Sequence, residues 1–421
     1  MSNSQGAASG VIVIGGGIIG TLAACRLLES GLSVTLIEAD PEGLCCSTGN
    51  AGSLSAGSVA PLGMPGVWKQ VPAMLLDRDG PLSVRADYAL RVAPWLIRFL
   101  RASAPARVER AASALHALNA PSVALYREWT RRIGAPELLR ATGQLQVYQS
   151  AQAVEKDARG WRMRREHGVD VRDVDSAELH ELEPGVGPQF TRGVFLPDEG
   201  MIVNPGRLLE ASRAMFAAAG GDIVQARVDS VTPVGSDRVA VRTDRGIREA
   251  AKAVIAAGAW SHRLAGGLGD RLPLESQRGY HVLMRNPGVA LRRPVVFAEA
   301  KIFATPMEMG LRVAGTVEFG SLETPPNPRR AQALLRNSRK LFPQLDVGAP
   351  EDRVEWMGNR PCFPDSLPVI DHARDSRRVV YAFGHGHLGL TQAPATARAV
   401  ADLVLERPSE IDLAPYGARR F

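Results

Sequence analysis

Residues 11–20 read VIVIGGGIIG, and the fold follows from them. Four consecutive apolar residues, Val11 to Ile14, suit a buried parallel strand, and from Ile18 to Leu28 the apolar spacing becomes helical. Between them the spacing Gly15-x-Gly17-x-x-Gly20 is the strand-turn-helix arrangement that cradles a dinucleotide. Gly15 permits the tight turn. Gly17 and the backbone N–H groups of Ile18 and Ile19 can approach a pyrophosphate at the positive end of the helix, and Gly20 lets that helix pack closely on its sheet. A second strand, LSVTLIE, ends in Glu38 with Ala39 beside it. A carboxylate there accepts hydrogen bonds from the ribose hydroxyls of an adenine dinucleotide and repels a 2′-phosphate, which argues against NADP. The expected fold is α/β with a Rossmann-like nucleotide domain.

The loop that follows, Cys46-Ser47-Thr48-Gly49-Asn50-Ala51-Gly52-Ser53, is small, polar and turn-forming. Its hydroxyls, amide and N–H groups suit a phosphate or a ribityl chain, and they equally suit a plain surface loop. The glycine spacing recurs as Gly384, Gly386 and Gly389 in VVYAFGHGHLG. No strand follows that could deliver a second ribose-binding acid, so this is no second nucleotide site. What remains is a helix N-terminus with free N–H groups, suited to an electron-rich ring such as a reduced flavin; simple strand-helix packing fits the same residues. In between, a TDRG turn leads into AKAVIAAG and Gly258, expected as a strand entering the sheet edge. The run GGDIVQARVDSVTPV alternates as one strand carrying Val228.

With 421 residues, 45% of them hydrophobic, the chain is long enough for two or three domains' worth of core. The net charge of +6 is scattered rather than gathered into a patch, and aromatics are only 5%, so a nucleic-acid partner is not expected. Cys25, Cys45, Cys46 and Cys362 lack metal-ligand spacing; no metal is expected, and a reduced cytoplasmic chain accounts for them. Leu22-Ala23-Ala24-Cys25 mimics a lipoprotein cleavage site, but residues 1–10 contain no Lys or Arg and cleavage would delete the first glycine turn. No apolar run is long enough to span a membrane.

These elements, in this order, resemble the D-amino-acid oxidase/dehydrogenase superfamily of FAD-dependent oxidoreductases over nearly the whole chain. GNAGSLSAGSVAPLGMPG, RGYHVLM and NRPCFPDSLPVI are most similar to bacterial D-amino-acid dehydrogenases. The resemblance implies a discontinuous FAD domain (1–60, 203–265 and 350–421) interleaved with a substrate domain (61–202 and 266–349) built on a largely antiparallel sheet. That domain would include a helical insert at about 65–135, with the flavin ring at the domain boundary. It places Cys46, Ser47, Thr48, Asn50, Ala51 and Gly52 near the pyrophosphate and ribityl, Val228 at the adenine end, and Gly258 beside the cofactor. It places His385, Gly386, His387, Leu388, Gly389 and Thr391 near the flavin ring. Cys362 does not match the covalent attachment pattern of sarcosine oxidases, so noncovalent FAD is expected.

The implied reaction is oxidation of a Cα–N bond to the imine with hydride transfer to flavin N5. Arg360 in GNRP is the expected carboxylate fork. Of Tyr280 and His281, strand alternation lets one line the pocket, the phenol for a carboxylate or the imidazole for the amine proton; either is equally a satisfied, half-buried residue. Relatives often place a second Arg after a Pro in the neighbouring strand, whereas here Met307 follows Pro306. GHGHLGLT, with His387 in place of the more usual threonine, resembles dehydrogenases of D-hydroxyproline and related cyclic amines, which points to D-hydroxyproline or D-proline. The electron acceptor is expected to be a quinone or another acceptor. The segment RADYALRVAPWLIRFLR suits either buried helix packing or a peripheral contact with the inner face of a membrane. Alternatives within the fold are a 2-hydroxy-acid or sarcosine/glycine-type oxidase; outside it, a non-catalytic redox sensor.

Overall fold

The computed structural model describes residues 10–40, 45–69, 71, 75, 77 and 80–421. The rest of the expected helical insert, residues 70, 72–74, 76, 78 and 79, lies outside the described residues. In chain order, the elements that position the site are β1 (Val11–Ile14), α1 (Ile18–Glu29), β2 (Val34–Glu38), α2 (Ala89–Ala102), β3 (Lys252–Ile255), β4 (Glu275–Met284), β5 (Ile302–Met307), β6 (Gly310–Phe319), β7 (Arg353–Cys362), β8 (Ser376–Phe383) and α3 (Gly389–Leu405). The chain divides into two compact units: Met1–Ser47, Gly206–Glu275 and Arg360–Phe421 form the first, and Thr48–Pro205 with Ser276–Asn359 the second. Residues 48–60, grouped with the nucleotide part on sequence grounds, thus fall in the second unit.

The first unit is built on a six-stranded sheet in the order Asp222–Gln225, β2, β1, β3, β8, Val369–Ala373. The first five strands run parallel, and only Val369–Ala373 runs antiparallel to its neighbour β8. β1 is buried along its whole length, as four apolar residues between two parallel neighbours must be. α1 hides most of its surface because Gly20, Thr21, Ala23, Ala24 and Cys25 are small enough for close packing against α3.

Two sequence expectations need correction here. β3 is not at the sheet edge: it pairs with β1 on one side and β8 on the other, a central place that its uninterrupted apolar run fits. The run expected as one strand around Val228 is two. Asp222–Gln225 extends the main sheet beside β2, while Val228–Val234 joins a separate three-stranded sheet. The break is at Ala226 and Arg227, whose N–H groups go to the Glu38 carbonyl and to Asp244 Oδ1, so alternation continues across a point where the ladder does not.

The second unit carries a nine-stranded, largely antiparallel sheet in which β7, β4, β6 and β5 are consecutive neighbours. Its core gathers Leu145, Val147, Val282, Val313, Leu334 and Phe342. The expected helical insert is α2 with helices Pro105–Asn119 and Ser122–Arg132. α2 buries Val92 and Trp95 yet leaves Leu90 92% exposed, so burial accounts for one of its faces only.

Candidate active site

In the first glycine turn, close backbone contacts require glycine at two positions. Gly15 has φ +102°, and a Cβ on it would lie 2.5 Å from the Ala256 carbonyl oxygen. A Cβ on Gly20 would overlap the Gly15 carbonyl. At Gly17 the space is open apart from Ser47 Oγ, 3.2 Å from where a Cβ would be. The Gly16 N–H donates to Glu38 Oε2 at 2.6 Å, so the acid at the end of β2 also braces the turn. Arg213, on helix Pro205–Ala218, donates to the Gly16 carbonyl and lies 3.8 Å from Glu38. Nothing in the polar pattern of that helix distinguishes Arg213 beforehand. At the start of α1, the Ile18 N–H donates to Ser47 Oγ at 2.9 Å, and Ile19 is half-buried beside it. Ala39 is exposed just beyond the acid. Bare backbone at a helix N-terminus, with an acid at the end of the next strand, fits a pyrophosphate and its ribose.

The second glycine turn leaves the same sheet at the same, C-terminal, ends of its strands. β1, β3 and β8 are adjacent and parallel, so the two turns are two strand spacings apart, about 10 Å. Gly384 has φ +90°, and its Cα packs where a Cβ would enter the Phe363 ring. Gly386 donates its N–H to the Pro361 carbonyl at 2.8 Å, and His385 forms a bridge with Cys362, fixing the turn to the end of β7. His385 Nε2 lies 3.0 Å from Thr396 Oγ1, and burial lowers its pKa to about 3, so the ring is neutral at ordinary pH. His387 is open to solvent yet densely surrounded by protein; that desolvation, then the Arg360 charge, lowers its pKa to about 4. Leu388 and Thr391 are buried, and Gly389 begins α3.

Arg360 belongs to this group. Burial lowers its pKa, opposed by Cys362 and Cys46. Burial, then the neighbouring Cys45, pushes the Cys46 thiol up to about 12 against the Arg360 charge, so Cys46 stays protonated. Elsewhere in the unit, Gly258 (φ +53°) opens a turn soon after β3, and Val228 is half-buried opposite Thr243. Among the described residues, no group of three or more His, Cys, Asp or Glu is placed to hold a metal ion.

In the second unit, three side chains from consecutive strands grip the loop Thr48–Gly52. Arg312 on β6 donates through Nη1 to the carbonyls of Thr48, at 3.2 Å, and Asn50. His281 on β4 has Nδ1 2.9 Å from the Gly49 carbonyl. Trp356 on β7 stacks on His281 with centroids 4.8 Å apart and occupies the space a Gly49 Cβ would need. Asn50 Oδ1 accepts from the Gly52 N–H at 2.8 Å, and Gly52, at φ +78°, passes under the Ile202 carbonyl. Ala51 is half-buried between them.

Tyr280 faces the other side of β4. Its hydroxyl donates to Glu318 Oε2 at 2.6 Å and accepts from the Asn327 N–H at 3.1 Å, in a buried network with Arg278. Burial first, then Glu318, pushes its pKa up to about 12. Arg312, Trp356 and Glu318 were not singled out from sequence. Period-2 patterning reveals which residues share a face, not what lies over it.

Residues 10–403 match the profile of the FAD dependent oxidoreductase (DAO) family. The chain belongs to this family. It is 40% identical to a D-amino-acid oxidase of Bradyrhizobium diazoefficiens, with 98% of each chain covered. It is 33% identical to a D-amino acid dehydrogenase of Paramagnetospirillum magneticum, again over 98% of each. Among solved structures, glycine oxidase from Geobacillus kaustophilus superposes with a TM-score of 0.76 at 23% identity, covering 98% of this chain and 99% of that one. The L-proline dehydrogenase from P. horikoshii superposes at 0.72 and 18% identity, covering 98% and 97%. As a DAO-family member the protein is an enzyme, an FAD-dependent oxidoreductase. No helix among its described residues is long and apolar enough to cross a membrane.

Proposed function

We propose that this enzyme oxidises the Cα–N bond of a D-amino acid to the imine. The reading is supported above all by the 40% identity, over 98% of both chains, to a D-amino-acid oxidase. FAD, when bound, supplies the acceptor for the hydride leaving Cα. Noncovalent binding is part of the proposal, with Gly15, Gly17, Gly20 and Glu38 holding the nucleotide and the His385–Gly389 turn seating the ring. Arg360 would take the substrate carboxylate in a two-pronged charge-assisted bond. Its desolvation supports that role, because a guanidinium out of water is stabilised most by an anion. His387, kept neutral by its surroundings, adds no second positive charge beside Arg360. The hydroxyl of Tyr280 is already engaged at both positions, so we assign it to support of the sheet rather than to substrate.

A cyclic secondary amine such as D-proline or D-hydroxyproline is the proposed substrate, on the strength of His387 in the GHGHLGLT turn. Electrons would pass to a quinone or another acceptor. The solvent face of α2, where Leu90, Ile97 and Leu100 stand beside Arg91, Arg98 and Arg101, supports a peripheral membrane contact for that exchange. The test is steady-state turnover of D- and L-amino acids with oxygen and with an artificial quinone. Turnover of D-proline or D-hydroxyproline is the expected result. Turnover of 2-hydroxy acids alone would replace the proposal.

A further inference from the structure

The second glycine turn is held from behind by three successive residues. The Gly386 N–H donates to the Pro361 carbonyl, His385 bridges to Cys362, and the ring edge of Phe363 faces Gly384, where a Cβ would lie 2.2 Å from Phe363 Cε2. Gly384 and Gly386 sit at φ +90° and +57°. Two glycines give the turn little stiffness of its own, so its shape depends on what stands behind it.

Behind Phe363 stand residues 417–421. The Phe421 ring stacks on the Phe363 ring, with centroids 5.0 Å apart and planes 26° from parallel. The Arg420 guanidinium lies over both rings, 4.3 Å from the centre of Phe421 and 5.3 Å from that of Phe363. The same guanidinium forks onto Asp365, from Nε at 2.7 Å and from Nη2 at 3.3 Å, and Nη2 also donates to the Leu367 carbonyl at 2.7 Å. Between Asp365 and Leu367 lies Ser366, at φ +66°, a left-handed conformation that costs a residue with a side chain. Its N–H closes the turn onto the Phe363 carbonyl at 3.1 Å. Arg420 therefore grips both flanks of a strained turn that begins at Phe363. The segment carrying it is itself anchored: Arg420 Nη1 donates to the Gly417 carbonyl at 3.0 Å, and the Ala418 N–H donates to Asp371 Oδ2 at 2.9 Å, on the edge strand Val369–Ala373. Covering a core needs only apolar side chains, whereas these contacts fix a position.

We propose that Arg420 and Phe421 are positioning residues that act through Phe363 and the Ser366 turn to hold the Gly384–Gly386 turn, and with it the start of α3, against the flavin ring. The proposal rests on the reading that this turn seats the ring. The positive end of α3 favours the electron-rich reduced flavin, so loosening the turn weakens the reduced form more than the oxidised one.

The test follows amide hydrogen exchange and the flavin midpoint potential in the holoenzyme. Phe421 is 40% exposed, so Phe421→Ala uncovers Phe363 without leaving a hole in the core. Phe421→Ala and Arg420→Ala should speed exchange at Gly386 and Leu388 by about tenfold or more, and leave Gly15 and Thr21 in the first turn as they are. Binding of the reduced flavin relative to the oxidised should weaken by about threefold, which lowers the two-electron potential by about 15 mV. Arg420→Lys keeps the charge beside Asp365 without the fork and should fall between. Wild-type exchange and wild-type potential in both alanine variants would overturn the proposal. Equal acceleration in both glycine turns would show a general loss of stability and contradict a positioning role. Acceleration confined to Gly386 and Leu388 with an unchanged potential would instead overturn the reading that this turn seats the ring, while its bracing by Arg420 and Phe421 would stand. If Phe421→Ala does not fold, Phe421→Leu and Arg420→Lys decide.

Discussion

The two glycine turns share one spacing and obey different constraints. In the first, Gly15 faces the Ala256 carbonyl and Gly20 faces the Gly15 carbonyl, so backbone atoms forbid a side chain at both. In the second, a Cβ on Gly389 would rest 3.6 Å from His385 Cβ, an ordinary contact, and one on Gly386 would meet Cys362 Sγ at 3.4 Å. The first turn is a backbone device, with Glu38 and Arg213 bracing it from outside. The second carries two histidines and meets the end of β7, where Arg360 and Cys362 lie. One spacing therefore serves close approach in one place and the placement of side chains in the other.

Paired substitutions at the third glycine give the sharpest contrast. Gly20→Ala should cost on the order of 3 kcal/mol or more, read as a large drop in Tm and loss of bound flavin, because neither backbone can yield. Gly389→Ala should change Tm little, since alanine is favoured over glycine in a helix by about 1 kcal/mol and the space is there. Equal damage from both would mean that the two turns are equivalent after all.

Arg360→Ala should keep bound FAD and lose about 2–5 kcal/mol of substrate affinity, measured as a raised KM. An unchanged KM would remove Arg360 from the substrate site. Glu38→Ala leaves the Gly16 N–H without its acceptor, an effect of about 1–3 kcal/mol, and should weaken FAD binding roughly tenfold or more in a titration of the apoprotein. Full flavin occupancy after dilute gel filtration would count against it.

The smallest effect is on pH dependence. His385 titrates near 3 when folded against an ordinary 6.5, so as pH falls below 6.5 the unfolded chain takes up the proton first. The stability His385 contributes is complete above 6.5 and declines as pH falls toward 3. Relative to His385→Gln, the wild type should lose about 1 kcal/mol by about pH 5.5, measured by denaturant unfolding of the apoprotein. Parallel pH profiles would show that the ring is not held neutral.

The first strand-turn-helix was legible because its causes are local: an apolar strand, a turn only glycine can make, and an acid at the end of the next strand. The central place of β3 was not, since an apolar run fits any strand buried on both faces. Nor was the division at Arg227, where alternation runs on while the hydrogen bonds change partners. Tyr280 and His281 could be assigned to opposite faces from sequence, but Glu318 behind one and Gly49 behind the other come from elsewhere in the chain. Arg312 was one arginine among many until its two carbonyl contacts set it apart.

The most direct measurement is anaerobic mixing of the purified holoenzyme with single enantiomers while the visible absorbance of the flavin is followed. D-proline or D-hydroxyproline should bleach the flavin and the L-enantiomers should leave it oxidised. A flavin that is bleached by 2-hydroxy acids or by L-amino acids, and left unchanged by every D-amino acid offered, would contradict the proposed reaction.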